Sequence, residues 1–249
     1  MITKYLLVLG IGHVLGDFYF QTEKISAGKD KRYKGVVIHS LEYLFSMLLA
    51  TVPVISLDMV LAAAVVSLAH FCIDSCKYLL LKGKKIRKTG ATFLIDQALH
   101  VGTVMVMAYI MLSWNYVLGE YSIVKNIGET FGIDLVRIAR WLLALLIVHV
   151  PTNIAIQTLL SGYRPPETDK RIITANNRAG RMIGTIERLI MLVFIALDQY
   201  SAMGLVLTAK SIARYDKIAK DPQFAEYYLL GTLLSTVSVV LCKVLILYS

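Results

Sequence analysis

Apolar segments recur along most of the chain, each close to the length of about 20 residues that a helix needs to cross a bilayer. Seven such segments are residues 3–21, 36–56, 58–81, 91–114, 135–160, 182–200 and 225–247. A shorter apolar stretch, 202–213, is expected to form an eighth crossing or a re-entrant half-helix. A helix satisfies its own backbone hydrogen bonds, which a bilayer requires. We therefore predict an all-α fold, a polytopic transmembrane helix bundle of about seven to eight membrane segments.

The composition excludes an ordinary soluble domain. Hydrophobic residues make up 57% of the 249 residues and charged residues 17%, whereas soluble domains are about 45–50% apolar and about 25% charged. The net charge of +9 is typical of a multi-pass protein with basic cytoplasmic loops, so no nucleic-acid partner is expected. The cysteines Cys72, Cys76 and Cys242 form no CxxC motif and no paired framework, which argues against a zinc ribbon or a disulfide scaffold.

The basic residues predict the orientation of the bundle. Nineteen of the 26 lysines and arginines fall in four segments: 22–35, 82–88, 162–181 and 210–220. Because positively charged loops stay in the cytoplasm, we expect these segments to be cytoplasmic and the N-terminus to lie outside. The chain then divides into an N-terminal four-helix membrane unit, 1–115, and a C-terminal membrane unit with cytoplasmic basic clusters, 116–249.

Histidine and aspartate recur at four-residue spacing inside the predicted spans. The first span carries HVLGD at 13–17, the third HFCID at 70–74, and the fourth the reverse order, DQALH at 96–100. Residues four apart lie within about 40° of each other on a helix, so each pair shares one face. An antiparallel neighbour must reverse the order to keep both residues at matching depths. The reversal therefore predicts one shared site.

Neutral imidazole and carboxylate groups together are ligands for zinc, manganese or iron. Ionisable side chains are costly inside a membrane and mark functional sites, and a bound cation would offset the burial of the carboxylates. We predict one or two divalent metal ions held by seven residues: His13, Asp17, His39, His70, Asp74, Asp96 and His100. The alternative is a packing network in which histidine donates hydrogen bonds to aspartate between helices.

Further polar residues extend this predicted site. Asp17, Asp96 and Lys77 are candidates for catalysis, with a carboxylate such as Asp96 accepting a proton from a metal-bound water. Five residues are expected to support the ligands or orient an arginine: Gln21, Glu42, His149, Asn153 and Glu187.

Basic residues also cluster at the predicted cytoplasmic boundary of the C-terminal half. NNRAGRMIGTIERL contains Arg181 and Arg188, and TAKSIARYDK contains Lys210 and Arg214. A guanidinium matches phosphate with a planar two-donor fork, so we predict that these four residues bind a substrate phosphate. The alternative is anchoring of the helix ends to lipid headgroups.

Two further spacings concern packing. Gly12 and Gly16 form a GxxxG motif, which permits close approach of a second helix. Cys72 and Cys76 lie on the opposite side of their helix from His70, so we expect them to be packing residues outside the site.

HVLGDFYFQ, a histidine that opens the second span and HFCIDSCK together resemble the bacterial membrane family known as domain of unknown function 3307. The resemblance covers residues 3–115, and longer members carry stretches similar to GRMIGTIERL and AKSIARYDK. The matching positions are His13, Gly16, Asp17, Gln21, His39, His70 and Asp74. The resemblance implies a multi-pass protein of the bacterial cytoplasmic (inner) membrane and implies no activity.

Three functions fit these features. The first is a metal-dependent hydrolase or transferase that acts on a membrane lipid or isoprenoid phosphate at the cytoplasmic leaflet. The second is a transporter or channel for protons or transition-metal ions, and the third is a non-catalytic sensor or assembly partner. A transporter needs polar groups along a path that reaches both faces, so the nearly bare outer half favours the first function. The sequence predicts no oligomeric state.

Overall fold

The structure is a computed structural model that describes residues 2–21, 32–116, 118–119, 122–164 and 170–247. The basic residues predicted to be cytoplasmic within 22–31 and the turn residues 165–169 lie outside the described residues, as do the side chains of residues 170–178. All regular secondary structure in the described part is helical. The α-helices are α1 (Ile2–Val14), α2 (Tyr33–Thr51), α3 (Leu57–Lys82), α4 (Gly90–Ser113), α5 (Ser122–Phe131), α6 (Leu135–Leu159), α7 (Lys170–Ala196), α8 (Tyr200–Ile212), α9 (Tyr215–Lys220) and α10 (Pro222–Cys242).

Five of these helices, two of them with short extensions, are long and apolar enough to cross a membrane. They are Tyr33–Val54, Leu57–Lys82, Gly90–Ser113, Leu135–Leu159 and Pro222–Leu247. The all-helical membrane architecture is therefore confirmed at the level of five candidate spans. The other predicted segments correspond to α1, to the second half of α7 and to α8, which has 13 residues. Helix α5 lies between the predicted spans 91–114 and 135–160, and α9 lies within the basic segment 210–220 that is predicted to be cytoplasmic.

Local capping signals begin three of the long helices. The Ser56 hydroxyl accepts a hydrogen bond from the Met59 N–H at the start of α3 (3.2 Å). Thr89 and Thr92 bond reciprocally to each other's backbone N–H at the start of α4, and Asp221 caps α10. Each cap satisfies an N–H group that the first helical turn leaves free.

The chain divides into two compact units, Met1–Leu146 and Ile147–Ser249, with the boundary inside α6. In the N-terminal unit, α1 and α3 each pack against both α2 and α4. One half of this four-helix bundle is an apolar core of buried side chains: Tyr5, Leu9, Tyr43, Met47, Met59, Ala62, Ala63, Val66, Val104, Met107, Ala108 and Met111. These positions occupy the early parts of α1 and α3 and the late parts of α2 and α4, which leaves the opposite half of the bundle for polar residues.

The GxxxG motif brings α1 close to α2, as its spacing predicts. A methyl group added at Gly12 would lie 2.8 Å from Met47 Sδ, and one added at Gly16 would lie 2.9 Å from Tyr43 Cδ2. Both distances are shorter than van der Waals contact, so only glycine permits this packing.

A π-helical turn, Leu15–Tyr19, follows α1. The Phe20 N–H donates to the Leu15 carbonyl at 2.9 Å, a bond that spans five residues instead of four. Single π-turns are uncommon and often occur at functional sites. This turn carries Asp17 into the polar half of the bundle.

In the C-terminal unit α7 packs against α8 and α10, and α9 packs against α10. Pro151 lies within α6 and has no N–H, so it leaves the carbonyl of Ile147 without its helical donor. The Thr152 hydroxyl donates to that carbonyl at 2.8 Å, and Arg188 Nε donates to the next carbonyl, that of Val148, at 2.7 Å. Side chains thus satisfy the backbone around the proline, as a membrane helix requires.

Candidate functional site

The polar half of the N-terminal bundle buries histidine and aspartate side chains from all four helices. Besides His13, six of them are between 0% and 6% exposed: Asp17, His39, His70, Asp74, Asp96 and His100. The reversed order in α4 brings its pair to the pair of α3, because neighbouring helices run in opposite directions. The structure thus places these six predicted residues in one layer.

In this layer Asp17 and His70 both lie close to His39. Its Nε2 atom lies 3.2 Å from Asp17 Oδ1 and 3.1 Å from His70 Nε2. One ligand atom from each of these residues lies within 4.8 Å of the others. Around a tetrahedral zinc ion with bonds of about 2.1 Å, ligand atoms are about 3.4 Å apart. The spacing therefore matches what a single ion requires.

A second group of three, His70, Asp74 and His100, meets the same criterion. Asp74 Oδ2 lies 3.6 Å from the Nε2 atoms of both His70 and His39, and Asp74 Oδ1 lies 3.7 Å from His100 Nε2. Both groups include His70, and its contacts to each use the same Nε2 atom. They therefore overlap as one candidate metal centre with up to five ligands.

His13 adjoins this centre but belongs to neither group of three. Its ring centre lies 5.9 Å from that of His100 and 6.5 Å from that of His70. His13 Nδ1 is 3.2 Å from the Tyr43 hydroxyl, and the Tyr43 ring stacks on His70 with 3.7 Å between ring centres. Tyr43 is not among the predicted residues, although its four-residue spacing from His39 places both on one face of α2.

Asp96 connects the centre to a lysine. Lys77 Nζ lies 2.7 Å from Asp96 Oδ2, and Asp96 Oδ1 lies 3.7 Å from His100 Nε2. On the other side of the layer, Gln97 Nε2 donates to Asp17 Oδ2 at 2.9 Å. Gln97 is not among the predicted residues because it forms no four-residue pair with a histidine or aspartate.

Several ring nitrogens of the centre lack hydrogen bonds. Neither nitrogen of His100, nor Nδ1 of His70, has a partner within the part of the chain that the structure describes. A buried polar atom without a hydrogen bond costs about 1–3 kcal/mol. The cluster is therefore incomplete as a pure packing network, and an ion bound through one nitrogen of His100 would satisfy one of these three atoms.

The remaining predicted residues of this site lie elsewhere. Gln21 and Glu42 are half-buried and belong to neither group of three. His149 is exposed and belongs to the C-terminal unit, so we leave it out of the centre. Cys72 and Cys76 are exposed, so they lie outside the buried layer, as their helical positions predict, but they are not buried as packing residues.

The C-terminal unit buries Arg188, which is 1% exposed. Besides the Val148 carbonyl, its guanidinium donates to Ser235 Oγ at 3.2 Å and to Asn153 Oδ1 at 2.7 Å. A longer bond of 3.3 Å reaches Thr185 Oγ1. Arg188 thus gives most of its donors to the protein, in contrast to the sequence-based expectation that it binds phosphate, and Asn153 supports it.

Glu187 pairs with a lysine and not with an arginine as we predict. Lys210 Nζ lies 2.6 Å from Glu187 Oε2 and 5.3 Å from the centre of the Tyr228 ring. Lys217 and Arg214 lie over the Phe224 ring, at 4.2 and 6.0 Å from its centre. The two basic segments of the sequence therefore meet at one place in this unit.

A cleft of about 450 Å³ opens at this place. Its lining includes all four residues predicted to bind phosphate: Arg181, Arg188, Lys210 and Arg214. Arg181 and Arg214 are exposed, so their guanidinium groups remain accessible to a ligand.

Comparison with known proteins gives one family. Residues 5–126 match the family described as Protein of unknown function (DUF3307). No curated protein and no solved structure matches the chain.

Proposed function

The chain belongs to the DUF3307 family, and we propose that its N-terminal unit is a membrane-embedded metal centre of a hydrolase or transferase. The substrate would be a lipid or isoprenoid phosphate at the cytoplasmic leaflet. The observation that carries the proposal is the convergence of three imidazole groups and three carboxylates in one buried layer.

Charge balance supports a divalent ion in this layer. Asp17, Asp74 and Asp96 carry three negative charges when ionised, and Lys77 offsets one of them through its ion pair with Asp96. A divalent cation would offset the other two. Buried charges persist only when they are paired or coordinate a metal, so zinc, manganese or iron suits this set of nitrogen and oxygen donors.

Five residues would hold the ion: Asp17, His39, His70, Asp74 and His100. A bound divalent ion lowers the pKa of a coordinated water and polarises a phosphoryl oxygen. Asp96 would accept a proton, and Lys77, 2.7 Å away, would hold that carboxylate in position. His13 and Tyr43 would fix the orientation of His70, and Gln97 that of Asp17.

The first experiment measures metal. The full chain is purified in detergent after growth with zinc, manganese or iron, and its metal content is determined by mass spectrometry. About one ion per chain is expected, and the double variant His70→Gln/Asp74→Asn should lose it. His149→Gln, which removes an exposed histidine, is the control and should retain it. A wild-type chain without metal in all three media would refute the centre.

The second experiment measures the reaction. Metal-loaded protein is incubated with phosphatidic acid or farnesyl diphosphate in micelles, and released phosphate is quantified. We expect release that Asp96→Asn abolishes while the metal content stays unchanged. Protein that holds the metal and releases phosphate from neither substrate would contradict the hydrolytic function and leave the metal centre intact.

The proposal includes the finer topology: seven to eight segments, an outer N-terminus and residence in a bacterial cytoplasmic membrane. The distribution of lysine and arginine supports it. Single cysteines introduced within 82–88 should be shielded from an impermeant thiol reagent added to intact cells, whereas cysteines within 119–129 should react. The opposite labelling would place the metal centre in the outer half.

Transit of metal ions or protons is a second candidate, favoured by the Lys77–Asp96 pair. The Lys77 side chain is 23% exposed, whereas Asp96 beside it is 7% exposed, so ionisable groups lead from an accessible position to the buried His100. Such chains are typical of proton and ion paths. Uptake of zinc into liposomes that contain the protein, lost in Asp96→Asn, would favour transit over hydrolysis.

A further inference from the structure

We propose that the cleft of the C-terminal unit binds a phosphate monoester carried on an apolar tail. This inference goes beyond the proposed function, because it concerns a second binding site and needs no metal.

The charged side chains that line the cleft are basic. Its described lining includes six lysine and arginine residues and no aspartate or glutamate: Arg164, Arg181, Arg188, Lys210, Arg214 and Lys217. Lys210 is paired with Glu187, so the remaining cations create a positive potential in a concave space. Such a space attracts and concentrates anions.

Arg188 strengthens this potential from below the surface. Within the described residues its hydrogen bonds go to neutral oxygens, those of Val148, Ser235, Asn153 and Thr185. A carboxylate also interacts with it, that of the preceding residue Glu187, but this carboxylate is itself paired with Lys210 and offsets the buried guanidinium charge only in part. The guanidinium lines the cleft, so an anion bound there would gain from this charge.

Glycine makes room for this arrangement. A methyl group added at Gly184 would lie 3.2 Å from Arg188 Nη1, so a side chain there would crowd the guanidinium. Gly180 also lines the cleft, one turn earlier on α7, and no atom lies within 4 Å of a methyl group added to it. The side of the cleft formed by α7 therefore carries no side chain at these two glycines, which leaves Arg181 accessible.

The rest of the lining combines apolar and aromatic side chains with uncharged polar ones such as Gln157 and Ser161. Ile156, Leu160, Ile183 and Phe224 contribute to it, and Ile183 is 39% exposed on the outer surface of α7. A free phosphate ion gains nothing from such walls, whereas an acyl or isoprenoid chain would bury apolar surface against them. The volume of about 450 Å³ falls within the range of about 300–1,000 Å³ of small-molecule sites.

The test measures binding to the full chain in a neutral detergent with a chelator present, so that the result does not depend on the metal centre. The probe is fluorescent phosphatidic acid, with phosphatidylcholine and inorganic phosphate as competitors. We expect saturable binding that unlabelled phosphatidic acid reverses and phosphatidylcholine does not. Inorganic phosphate should compete only at concentrations at least about tenfold higher, since it lacks the apolar contacts.

Variants locate the site. Arg181→Gln and Arg214→Gln should each weaken binding about tenfold, because each removes a charge-assisted hydrogen bond from an exposed position. Lys220→Gln removes one positive charge from the same short helix as Lys217, but Lys220 does not line the cleft; it is the control and should change binding less than about twofold.

Equal losses in the three variants would show that binding follows net charge, which would overturn the proposal. Competition by inorganic phosphate at the same concentration as the lipid would overturn the apolar-tail half of it. Absence of binding by the wild-type chain would overturn it entirely, and phosphate release by the metal-loaded protein would be unaffected by that result.

Discussion

In the N-terminal unit the buried charged and ionisable groups contact one another, whereas in the C-terminal unit buried Arg188 contacts neutral oxygens. The first arrangement places carboxylates and imidazoles 3.1–3.7 Å apart in a sealed layer. The second holds one guanidinium through hydroxyl, amide and carbonyl oxygens and leaves further cations exposed around a cleft.

The difference concerns the ligand that each arrangement can accept. Clustered carboxylates and imidazoles leave excess negative charge, which a small cation can neutralise from within the cluster. A buried cation with neutral partners leaves excess positive charge, which is neutralised by an anion entering from outside. Both units therefore bury an unbalanced charge, and the sign and the accessibility of that charge separate a metal centre from an anion site.

The largest effect is expected at Asp17. Asp17→Asn keeps an oxygen that can accept from Gln97 but removes the negative charge and the strong metal ligand. We expect metal affinity to fall by more than the roughly 10–100-fold typical of changes in residues that only support ligands, while the folded helix content by circular dichroism stays unchanged.

Asp198→Asn is the matched control for this substitution. The Asp198 side chain is 71% exposed, and its φ of 56° is a conformation that asparagine tolerates well. Metal content should be unaffected. Full metal retention in Asp17→Asn would mean that the layer is held by hydrogen bonds alone, and the contrast between the two units would disappear.

The next effect tests the C-terminal unit. Arg188→Lys keeps the buried charge but replaces a planar fork by a single ammonium, which cannot reach all four acceptors. Because each lost bond to a buried group costs about 1–3 kcal/mol, we expect a destabilisation of about 2–4 kcal/mol, seen as a lower midpoint of thermal unfolding in detergent.

Arg181→Lys, at an exposed position of the same helix, should change stability by less than about 0.5 kcal/mol. Equal midpoints for both variants would show that the four bonds of Arg188 contribute little, and would leave the burial of its charge unexplained.

The four-residue spacing of histidine and aspartate places Asp17 and the pairs of α3 and α4 on the helix faces that meet in the N-terminal layer, whereas His39 forms no such pair. Helical periodicity gives the direction of a side chain, and the reversed order in α4 gives its depth. Periodicity does not identify what lies across the interface. For this reason the ion pair of Glu187 with Lys210, the internal bonds of Arg188 and the contact of Gln97 with Asp17 are absent from our predictions.

Helical periodicity also gives no account of the exposure of His149. Asn153 follows it at four-residue spacing, yet the Asn153 amide donates to the His149 backbone carbonyl at 2.7 Å and to Thr185 at 2.8 Å. Pro151 lies between them and alters the bonding of this turn. A pattern that assumes a regular helix therefore does not account for the bonding of this turn.

A smaller effect is expected at Gly16 in the N-terminal bundle. Gly16→Ala would bring a methyl group to 2.9 Å from Tyr43 Cδ2 and 3.2 Å from Tyr43 Cα. Overpacking of this kind costs about 1–3 kcal/mol, and displacement of Tyr43 from His70 should also lower the metal content. Gly102→Ala, where no atom lies within 4 Å of the added methyl group, should leave both the unfolding midpoint and the metal content unchanged or slightly raised.

The smallest effect is expected at Cys72. Its side chain is exposed, so Cys72→Ser should alter stability by less than about 0.5 kcal/mol and leave the metal content unchanged. Cys242→Ser places a hydroxyl in a buried position and should lower the unfolding midpoint more. A loss of metal in Cys72→Ser would show that the face of α3 has been assigned incorrectly.

The π-turn at Leu15–Tyr19 makes the proposed metal centre depend on segment length as well as on residue type. Such a turn is an α-helix with one residue added, so deletion of one residue within 15–19 would restore ordinary pairing at this point. It would also rotate the following residues by about 100° relative to α1, which Gly12 holds against α2. Deletion of residue 15 or 16, which leaves every histidine and aspartate in the sequence, would then turn the Asp17 carboxylate away from His39, with the same consequence as replacing Asp17 itself.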